Sequence, residues 1–281
     1  MNEEYERIEK NEIKISDWLK GKFLKERLLF GEMVELMLES VKPLSGRRKG
    51  TNKEELALLT LATRIFNDLE GAKQLLLWGL PDQANTVIRD IIECILLLRL
   101  FLNKPKTAAK WLTNLTEYRP GIIYAELSKS GIDAKEYSFY GILSHSGHSN
   151  LLASLSHTQE IDFGKKRILN LFHFGSTRTV ESEKFIQYGF LMLFFLFYLA
   201  LMEPLAELHY RYSESDVFEL WYSKIDILRP QLIELSSEIT QKTVDGVDHT
   251  LLELIRKKMR FEDFKKRITG DSKVPTKNGT S

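Results

Sequence analysis

The chain has 281 residues, and its 40 basic and 39 acidic side chains leave a net charge of +1, which indicates neither a nucleic-acid partner nor a membrane surface. The single cysteine cannot form an internal disulfide, and the charged first residues lack the apolar region of a secretory signal peptide. Seven prolines and sixteen glycines are few for this length, which favours long helices over a strand-rich fold. We therefore expect an all-α protein of the cytoplasm.

The first part of the chain predicts helices separated by one basic loop. Residues 2–41 carry apolar side chains at roughly helical spacing, which fits one or two amphipathic helices that end before Pro43. The basic stretch 45–53 is expected to be a solvated connector, with a phosphate contact as the alternative. A further helix over 54–78 is expected to stop at the Gly-Leu-Pro sequence of 79–81.

Residues 82–102 form the stretch around which the rest of the chain is expected to pack. The segment 94–98 is apolar on every side of a helix, so it belongs in the middle of a bundle rather than at a surface. The turn before this helix is so short that the helix must fold back antiparallel to the preceding one. The sequence therefore predicts a multi-helix bundle built on a central antiparallel helical hairpin.

The middle of the chain is less regular. Short helices are expected at 107–115 and from Pro120 to Gly131. The polar stretch 135–157 is rich in serine and histidine and contains two glycines, which suggests an interrupted helix or one approached closely by another backbone. Residues 161–175 are ambiguous and are compatible with a short strand-like piece.

An apolar run over 185–202 is interrupted only by Gln187. Its length is at the margin of what a membrane span needs. However, no second comparable segment exists, and the sequence that follows turns polar without basic flanking residues. We favour a buried apolar helix, with Thr179 as its N-cap, over a membrane anchor.

Two more helices are expected near the end of the chain. Ser213 with Asp216 predicts the start of a helix over 217–243 that is broken or kinked at Pro230. Residues 249–267 predict an amphipathic helix that is basic on its exposed side. The expected organisation has three parts: N-terminal helices at 1–44, a helical-bundle core at 54–268 and a disordered tail at 269–281.

Arg89 and Glu93 are the first candidate site, because they lie one helical turn apart in a helix that enters the core. Asp82 and Thr86 continue the same stripe in one direction, and leucines continue it in the other. Three interpretations stay open: a solvated stripe of small energetic value, an architectural clasp, or a functional site.

Tyr140, Ser144 and His148 are the second candidate site, because their spacing places them on one face of a helix. Hydrolase chemistry on Ser144 and His148 would also need an orienting acid and an oxyanion hole, and the local sequence supplies neither. His145 and His148 are spaced for a shared metal, but carboxylates are lacking nearby. We expect neither a metal nor another cofactor.

The two candidate stretches together carry a family resemblance. The pattern GLPDQANTVIRDIIE, followed later by YGILSHSGH, resembles the all-helical bacterial family named domain of unknown function 5677 over roughly residues 55–205. The matching positions are Gly79, Ala84, Arg89, Glu93, Tyr140, Ser144 and His148. The resemblance implies that the stretches meet, with Arg89 and Glu93 facing Ser144 and His148 across a polar pocket.

A more distant resemblance is to the HEPN group of helical families, which includes metal-independent ribonucleases of toxin and phage-defence systems. Their motif, an arginine followed by a histidine on one helix, is matched here only by Arg167 and His173, where a chance match is expected. Ile168 also departs from the polar residue that those families prefer. Such chemistry would sooner use Arg89 to stabilise phosphate charge and His148 to move a proton.

Two hypotheses for the function follow. In the first, the protein is a bacterial stress or phage-defence effector or regulator that binds RNA, a nucleotide or another phosphate-bearing ligand, with cleavage as the weaker expectation. Its catalytic residues would be Arg89, Glu93 and His148, and its ligand-binding residues Tyr140, Ser144 and His145. In the second, it is a non-enzymatic interaction or scaffold protein, with a protein partner or a homodimer, and these residues form a structural polar network. Neither hypothesis involves a membrane.

Overall fold

The computed structural model describes residues 2–45, 52–114, 118–132, 158–162, 168–172 and 180–243. These residues form a bundle of packed helices with one small β-hairpin, so the predicted all-α class is confirmed. The elements in chain order are α1 (Asn2–Lys22), α2 (Leu24–Ser45), α3 (Lys53–Leu77), α4 (Pro81–Asn103), α5 (Pro105–Asn114), α6 (Pro120–Lys129), β1 (Thr158–Asp162), β2 (Ile168–Phe172), α7 (Val180–Ala200), a π-helical turn (Leu201–Leu205), α8 (Ala206–Tyr212) and α9 (Ser215–Thr243).

The β-hairpin lies in the region that was ambiguous from the sequence. Strands β1 and β2 pair antiparallel, with Thr158 opposite Phe172 and Asp162 opposite Ile168. The strand-like piece expected within 161–175 is therefore confirmed at β2. Several predicted features lie outside the described residues: the basic stretch over 46–51, the polar stretch 135–157, Thr179, the helix over 249–267 and the tail at 269–281.

Local signals in the sequence fix both ends of α3. Asn52 accepts a hydrogen bond from the backbone N–H of Glu55 at 2.8 Å, and the Glu55 carboxylate accepts one from the N–H of Asn52 at 3.2 Å, which forms a capping box. At the other end Gly79 adopts φ 74°, a left-handed conformation that glycine favours. The N–H of Leu80 bonds to the carbonyl of Leu75, so α3 closes in a Schellman motif, and the predicted stop at Gly79 is confirmed.

Helices α3 and α4 pack against each other more extensively than any other pair of described elements. Three residues, 78–80, connect them, and Pro81 occupies the first turn of α4. Arg64 of α3 lies 4.0 Å from Asp90 of α4, a contact compatible with the predicted antiparallel hairpin. The antiparallel geometry itself stays a prediction from the short turn.

The core of the bundle surrounds α4 and α7. Between Gln83 and Asn103 no residue of α4 is exposed, and residues 190–198 of α7 are all buried. Among the described helices, one stretch, Phe185–Tyr212, is long and apolar enough to cross a membrane by length and composition, and 78% of its most apolar window is buried inside the protein. The predicted buried apolar helix is therefore confirmed as α7.

Gly189 marks a close approach between α7 and α3. A Cβ atom at this position would lie 2.5 Å from Cδ2 of Leu76, which is closer than real contacts allow. The absence of a side chain at Gly189 therefore lets the two helices pack at short range. Further along α7, Phe197 meets Phe30 of α2 edge to face, with ring centroids 5.1 Å apart.

Some predicted helix boundaries were wrong. Helix α2 continues through Pro43 to Ser45, and α9 continues through Pro230, so the predicted break there is wrong, while a kink stays a prediction. Each proline removes a backbone N–H, but both side chains lie at accessible positions, where water can bond to the carbonyl left unpaired. Helix α9 begins at Ser215, so Ser213 lies one residue before its N-cap position, and the backbone N–H and hydroxyl of Ser213 both donate to the carbonyl of His209 at the end of α8.

The N-terminal helices share the core with the rest of the bundle. Leu19 and Phe23 are buried, and Phe30 and Met33 of α2 belong to the same hydrophobic cluster as α7. Trp221 of α9 donates a hydrogen bond from its ring nitrogen to the backbone carbonyl of Leu36 on α2, at 2.9 Å. Residues assigned to a separate N-terminal part from the sequence therefore contribute directly to the packing of the later helices.

Candidate functional site

Arg89 and Glu93 belong to a group of five charged residues that we call the α3–α4 charge cluster: Arg64, Asp68, Arg89, Asp90 and Glu93. Arg89 lies 3.5 Å from the Asp90 carboxylate and 4.0 Å from that of Glu93. Arg64 lies 3.5 Å from Asp68 on its own helix and 4.0 Å from Asp90 on α4. Asp90 therefore stands between two guanidinium groups and links both helices.

The cluster lies at the edge of the core, as the sequence predicted for Arg89 and Glu93. The Arg89 side chain is 21% exposed, and its neighbours Ile88, Ile92 and Cys94 are buried. A fully solvated stripe is therefore wrong for this pair, because most of the Arg89 side chain is removed from water. The other two interpretations, a clasp between helices and a functional site, both fit a partly buried network.

Burial dominates the electrostatics beside the cluster. Burial raises the pKa of the Asp68 carboxyl, and the nearby Asp90 charge adds to this effect, while Arg64 opposes it. Burial also raises the pKa of the Cys94 thiol to about 12, although Arg64 favours the thiolate. A thiol with such a pKa is neutral and unreactive at physiological pH, so buried Cys94 fills the core and is not a nucleophile.

The ion pairs of the cluster are loose. Nε of Arg89 and Oδ2 of Asp68 are buried, and neither makes a hydrogen bond to any residue that the structure describes. The contacts of 3.5–4.0 Å fall outside hydrogen-bonding range for a guanidinium and a carboxylate. At the start of the stripe, Thr86 donates to the backbone carbonyl of Asp82 at 3.4 Å, so its hydroxyl is engaged within α4.

The remaining predicted site residues cannot be placed against this cluster. Tyr140, Ser144, His145 and His148 lie outside the described residues. The same holds for the arginine and histidine of the alternative ribonuclease motif, at 167 and 173. The polar pocket between Arg89 and His148 therefore stays a prediction. Within the described part of the chain, no group of three or more histidine, cysteine, aspartate or glutamate side chains is arranged to hold a metal ion.

A second ion pair on α4 was missed by the sequence analysis. Arg99 lies 2.8 Å from the carboxylate of Glu203 in the π-helical turn, and its side chain is only 9% exposed. The signal was present, because a charged residue within an apolar helix must find a partner or leave the core. Glu203 is distant in sequence, so the i,i+4 rule could not identify it.

His209 is a further buried polar group that the sequence did not single out. Its ring lies 4.8 Å from that of Trp221 and 5.8 Å from that of Phe218, between centroids. Neither ring nitrogen meets hydrogen-bond geometry with a described residue. Burial lowers the pKa of His209, while the carbonyls of Ser40 and Val217 and the charge of Glu39 oppose this effect. At neutral pH, His209 is therefore an uncharged member of an aromatic cluster.

Comparisons with known proteins add no assignment to this geometry. No protein-family model, no curated protein and no solved structure matches the chain. The resemblance to the domain of unknown function 5677 family stays an expectation based on the quoted motifs. Functional inference therefore depends on the contacts of the described residues.

Proposed function

We propose that this chain is a non-enzymatic helical interaction protein in which the α3–α4 charge cluster is a structural polar network. The observation that supports this proposal is the position of Asp90 between Arg64 and Arg89. Both arginines of the cluster already face carboxylates, and three carboxylates outnumber two guanidinium groups. A phosphate entering the cluster would therefore meet a formal excess of negative charge.

The network has a clear structural task. Arg64 and Asp90 connect α3 to α4, while Arg89 offsets the charges of Asp90 and Glu93 at the edge of the core. Removing Arg89 would leave two carboxylates in a partly desolvated position with less compensation. Because the site is partly exposed, we expect this to cost about 1–2 kcal/mol, which is less than the loss of a partner from a fully buried pair.

The test is the stability of Arg89→Ala, measured by thermal and urea unfolding. A matched control is Arg211→Ala, since Arg211 pairs with Glu207 one turn away on the surface of α8. We expect Arg89→Ala to lower stability clearly and Arg211→Ala to change it by only about 0.5 kcal/mol. Equal effects of the two substitutions would remove the support for a structural network.

The second candidate function is an effector or regulator of bacterial stress or phage defence that binds RNA or a nucleotide with Arg89, Glu93 and His148. One observation favours it: the Arg89 side chain remains 21% exposed at the edge of the core, so part of it can be reached by a ligand. Binding of RNA and of nucleotides to the wild type, Arg89→Ala and His148→Ala separates the two functions. Loss of binding in both variants at unchanged stability would favour the second; equal binding by all three proteins would reject it.

A further inference from the structure

The corner between α8 and α9 is held to the bundle by few buried side chains. This corner contains the end of α8 at Tyr212 and the start of α9 at Ser215. Among the residues between His209 and Trp221, all of which the structure describes, Phe218 is the one that is buried. His209 and Trp221 are themselves buried. Because a segment with few buried contacts opens at a lower free-energy cost than the core, the corner is a place where the folded bundle can open locally.

The three buried rings form one group that we call the corner cluster: His209, Phe218 and Trp221. Between centroids, the His209 ring lies 4.8 Å from Trp221 and 5.8 Å from Phe218, and those two rings lie 5.8 Å apart. Helices α8 and α9 both pack against α2, where the indole N–H of Trp221 donates to the carbonyl of Leu36 at 2.9 Å. His209 therefore belongs to the small set of contacts that hold the corner in place.

The surroundings of His209 suit an uncharged ring. The residue is 2% exposed, and neither ring nitrogen meets hydrogen-bond geometry with a described residue. From α2 it faces the carboxylate of Glu39 and the carbonyl of Ser40, and from α9 the carbonyl of Val217 and the other two rings of the corner cluster. Lys224 lies 2.7 Å from Glu39 and offsets the charge that would favour a positive ring. Burial therefore outweighs these groups and lowers the pKa of His209.

Other charged groups on the elements around His209 have partners of their own or face water. In the π-helical turn, which packs against α8, Glu203 meets Arg99 of α4 at 2.8 Å. On α8 itself, Arg211 pairs with Glu207. The three carboxylates within 214–219 are on exposed residues. The charge that acts on the His209 ring is therefore that of Glu39, which already has a lysine partner.

We propose that the α8–α9 corner is a proton-sensitive hinge that opens locally when His209 takes up a proton. In the closed corner a protonated ring is a buried charge, whereas in the open corner the ring meets water and binds a proton with an ordinary pKa of about 6.5. The closed form is therefore fully favoured well above that pH, and it loses this advantage as the pH falls toward the lower pKa of the closed form. Opening breaks the bond between Trp221 and Leu36 and exposes the corner cluster, while α4 and α7 stay packed.

This proposal does not depend on the function of the α3–α4 charge cluster, and hydrogen exchange measured by NMR tests it in the full chain. Three N–H groups report on the corner: the amides of Ser213 and Phe218, which bond to the carbonyls of His209 and Glu214, and the indole of Trp221. Between about pH 7.5 and about pH 5.5, and after correction for the chemical exchange rate, the equilibrium constant for opening at these groups should rise several-fold, and at most about tenfold.

Urea separates local opening from unfolding of the whole bundle. Low concentrations of urea should speed exchange at the buried amides of α4, which open only when the bundle unfolds, because global unfolding exposes much surface. Exchange at the corner should hardly respond to urea, because a local opening exposes little. A corner that opens only together with α4, with the same equilibrium constant and the same urea dependence, would overturn the proposal.

Two substitutions connect the pH effect to one ring. His209→Phe keeps an aromatic ring but removes the ionisable group, so exchange at the corner should lose its pH dependence. Phe218→Leu is the matched control, because it weakens the same cluster and retains His209. It should increase opening at both pH values and leave their ratio unchanged. An unchanged opening constant in the wild type on acidification, or an equal pH effect in His209→Phe, would overturn the proposal.

Discussion

Helix α4 carries two arginines whose surroundings differ strongly. Arg89 meets Asp90 and Glu93 at 3.5 and 4.0 Å, and its buried Nε makes no hydrogen bond to a described residue. Arg99 meets Glu203 at 2.8 Å and is nearly excluded from water. On the same helix, the arginine at position 89 therefore forms loose ion pairs, and the arginine at position 99 forms one tight ion pair with another element.

This difference predicts different energetic roles. Water and salt screen charges at the α3–α4 charge cluster, so removing one charge there has a moderate cost. Arg99 and Glu203 are held in a less polar setting, where one charge without the other is expensive. The tight pair also ties α4 to the π-helical turn, an irregular segment that includes Pro204. We therefore expect the Arg99 pair to be essential for packing and the Arg89 network to be adjustable.

The largest effect is expected for Arg99→Ala. It removes the nearly buried guanidinium that meets Glu203 and should lower the free energy of unfolding by about 3 kcal/mol, the lower end for a buried pair because the Glu203 side chain is 23% exposed, as measured by urea denaturation. The double substitution Arg99→Met with Glu203→Leu should recover much of this loss, because it removes both charges and retains apolar volume. Similar losses of unfolding free energy for Arg99→Ala and Arg89→Ala would show that the two arginines do not differ in their contribution to stability.

The salt dependence of the two arginines should differ as well. Raising sodium chloride from about 0.1 M to about 1 M shortens the screening length from roughly 10 Å to 3 Å. The cost of Arg89→Ala, about 1–2 kcal/mol at low salt, should decrease, while the cost of Arg99→Ala should hardly change. Urea unfolding of both variants at the two salt concentrations measures this. A parallel decrease for both would contradict the assigned difference in burial.

His209 provides a buried polar group without an ion-pair role. Burial lowers its pKa below the ordinary value of about 6.5, so the unfolded chain binds the proton more readily than the folded one. The stabilising effect of the uncharged ring is complete well above pH 6.5. It is lost as the pH falls from there toward the pKa of the folded state, and the free energy of unfolding then decreases by at most about 1.4 kcal/mol per pH unit. His209→Phe should remove this part of the pH dependence between about pH 7 and 5, and an unchanged profile would contradict the account.

The smallest effect is expected for Arg64→Ala. Its side chain is 57% exposed, so water screens its contacts with Asp68 and Asp90. We expect a loss of at most about 0.5 kcal/mol in urea unfolding at low salt. A loss as large as that of Arg89→Ala would mean that the contact between Arg64 and Asp90 provides much of the stability that the cluster contributes.

Much of the fold followed from local sequence signals. The all-round apolar character of 94–98 predicted the burial of α4, and Gly79 predicted the end of α3. The prolines misled the boundary predictions, because Pro43 and Pro230 lie at accessible positions where a lost backbone hydrogen bond is tolerated. Proline removes a backbone hydrogen bond from a helix, but the loss of stability depends on how deeply the position is buried, which local sequence rules do not show.

The candidate site was predictable only in part, for a related reason. Arg89 and Glu93 were found because both lie on one helix, within reach of the i,i+4 rule. Arg64 and Glu203 could be identified only from packing between elements distant in sequence. The facing of Ser144 and His148 toward Arg89 stays a prediction, since they lie outside the described residues.

The most direct test of the structural role of the α3–α4 charge cluster is a double-mutant cycle on Arg89→Ala and Glu93→Ala. Urea unfolding of the wild type, the two single variants and the double variant gives the energy by which the two side chains depend on each other. The account predicts a favourable coupling of about 0.5–1 kcal/mol together with a clear destabilisation by Arg89→Ala. Zero coupling with Arg89→Ala as stable as the wild type would contradict it.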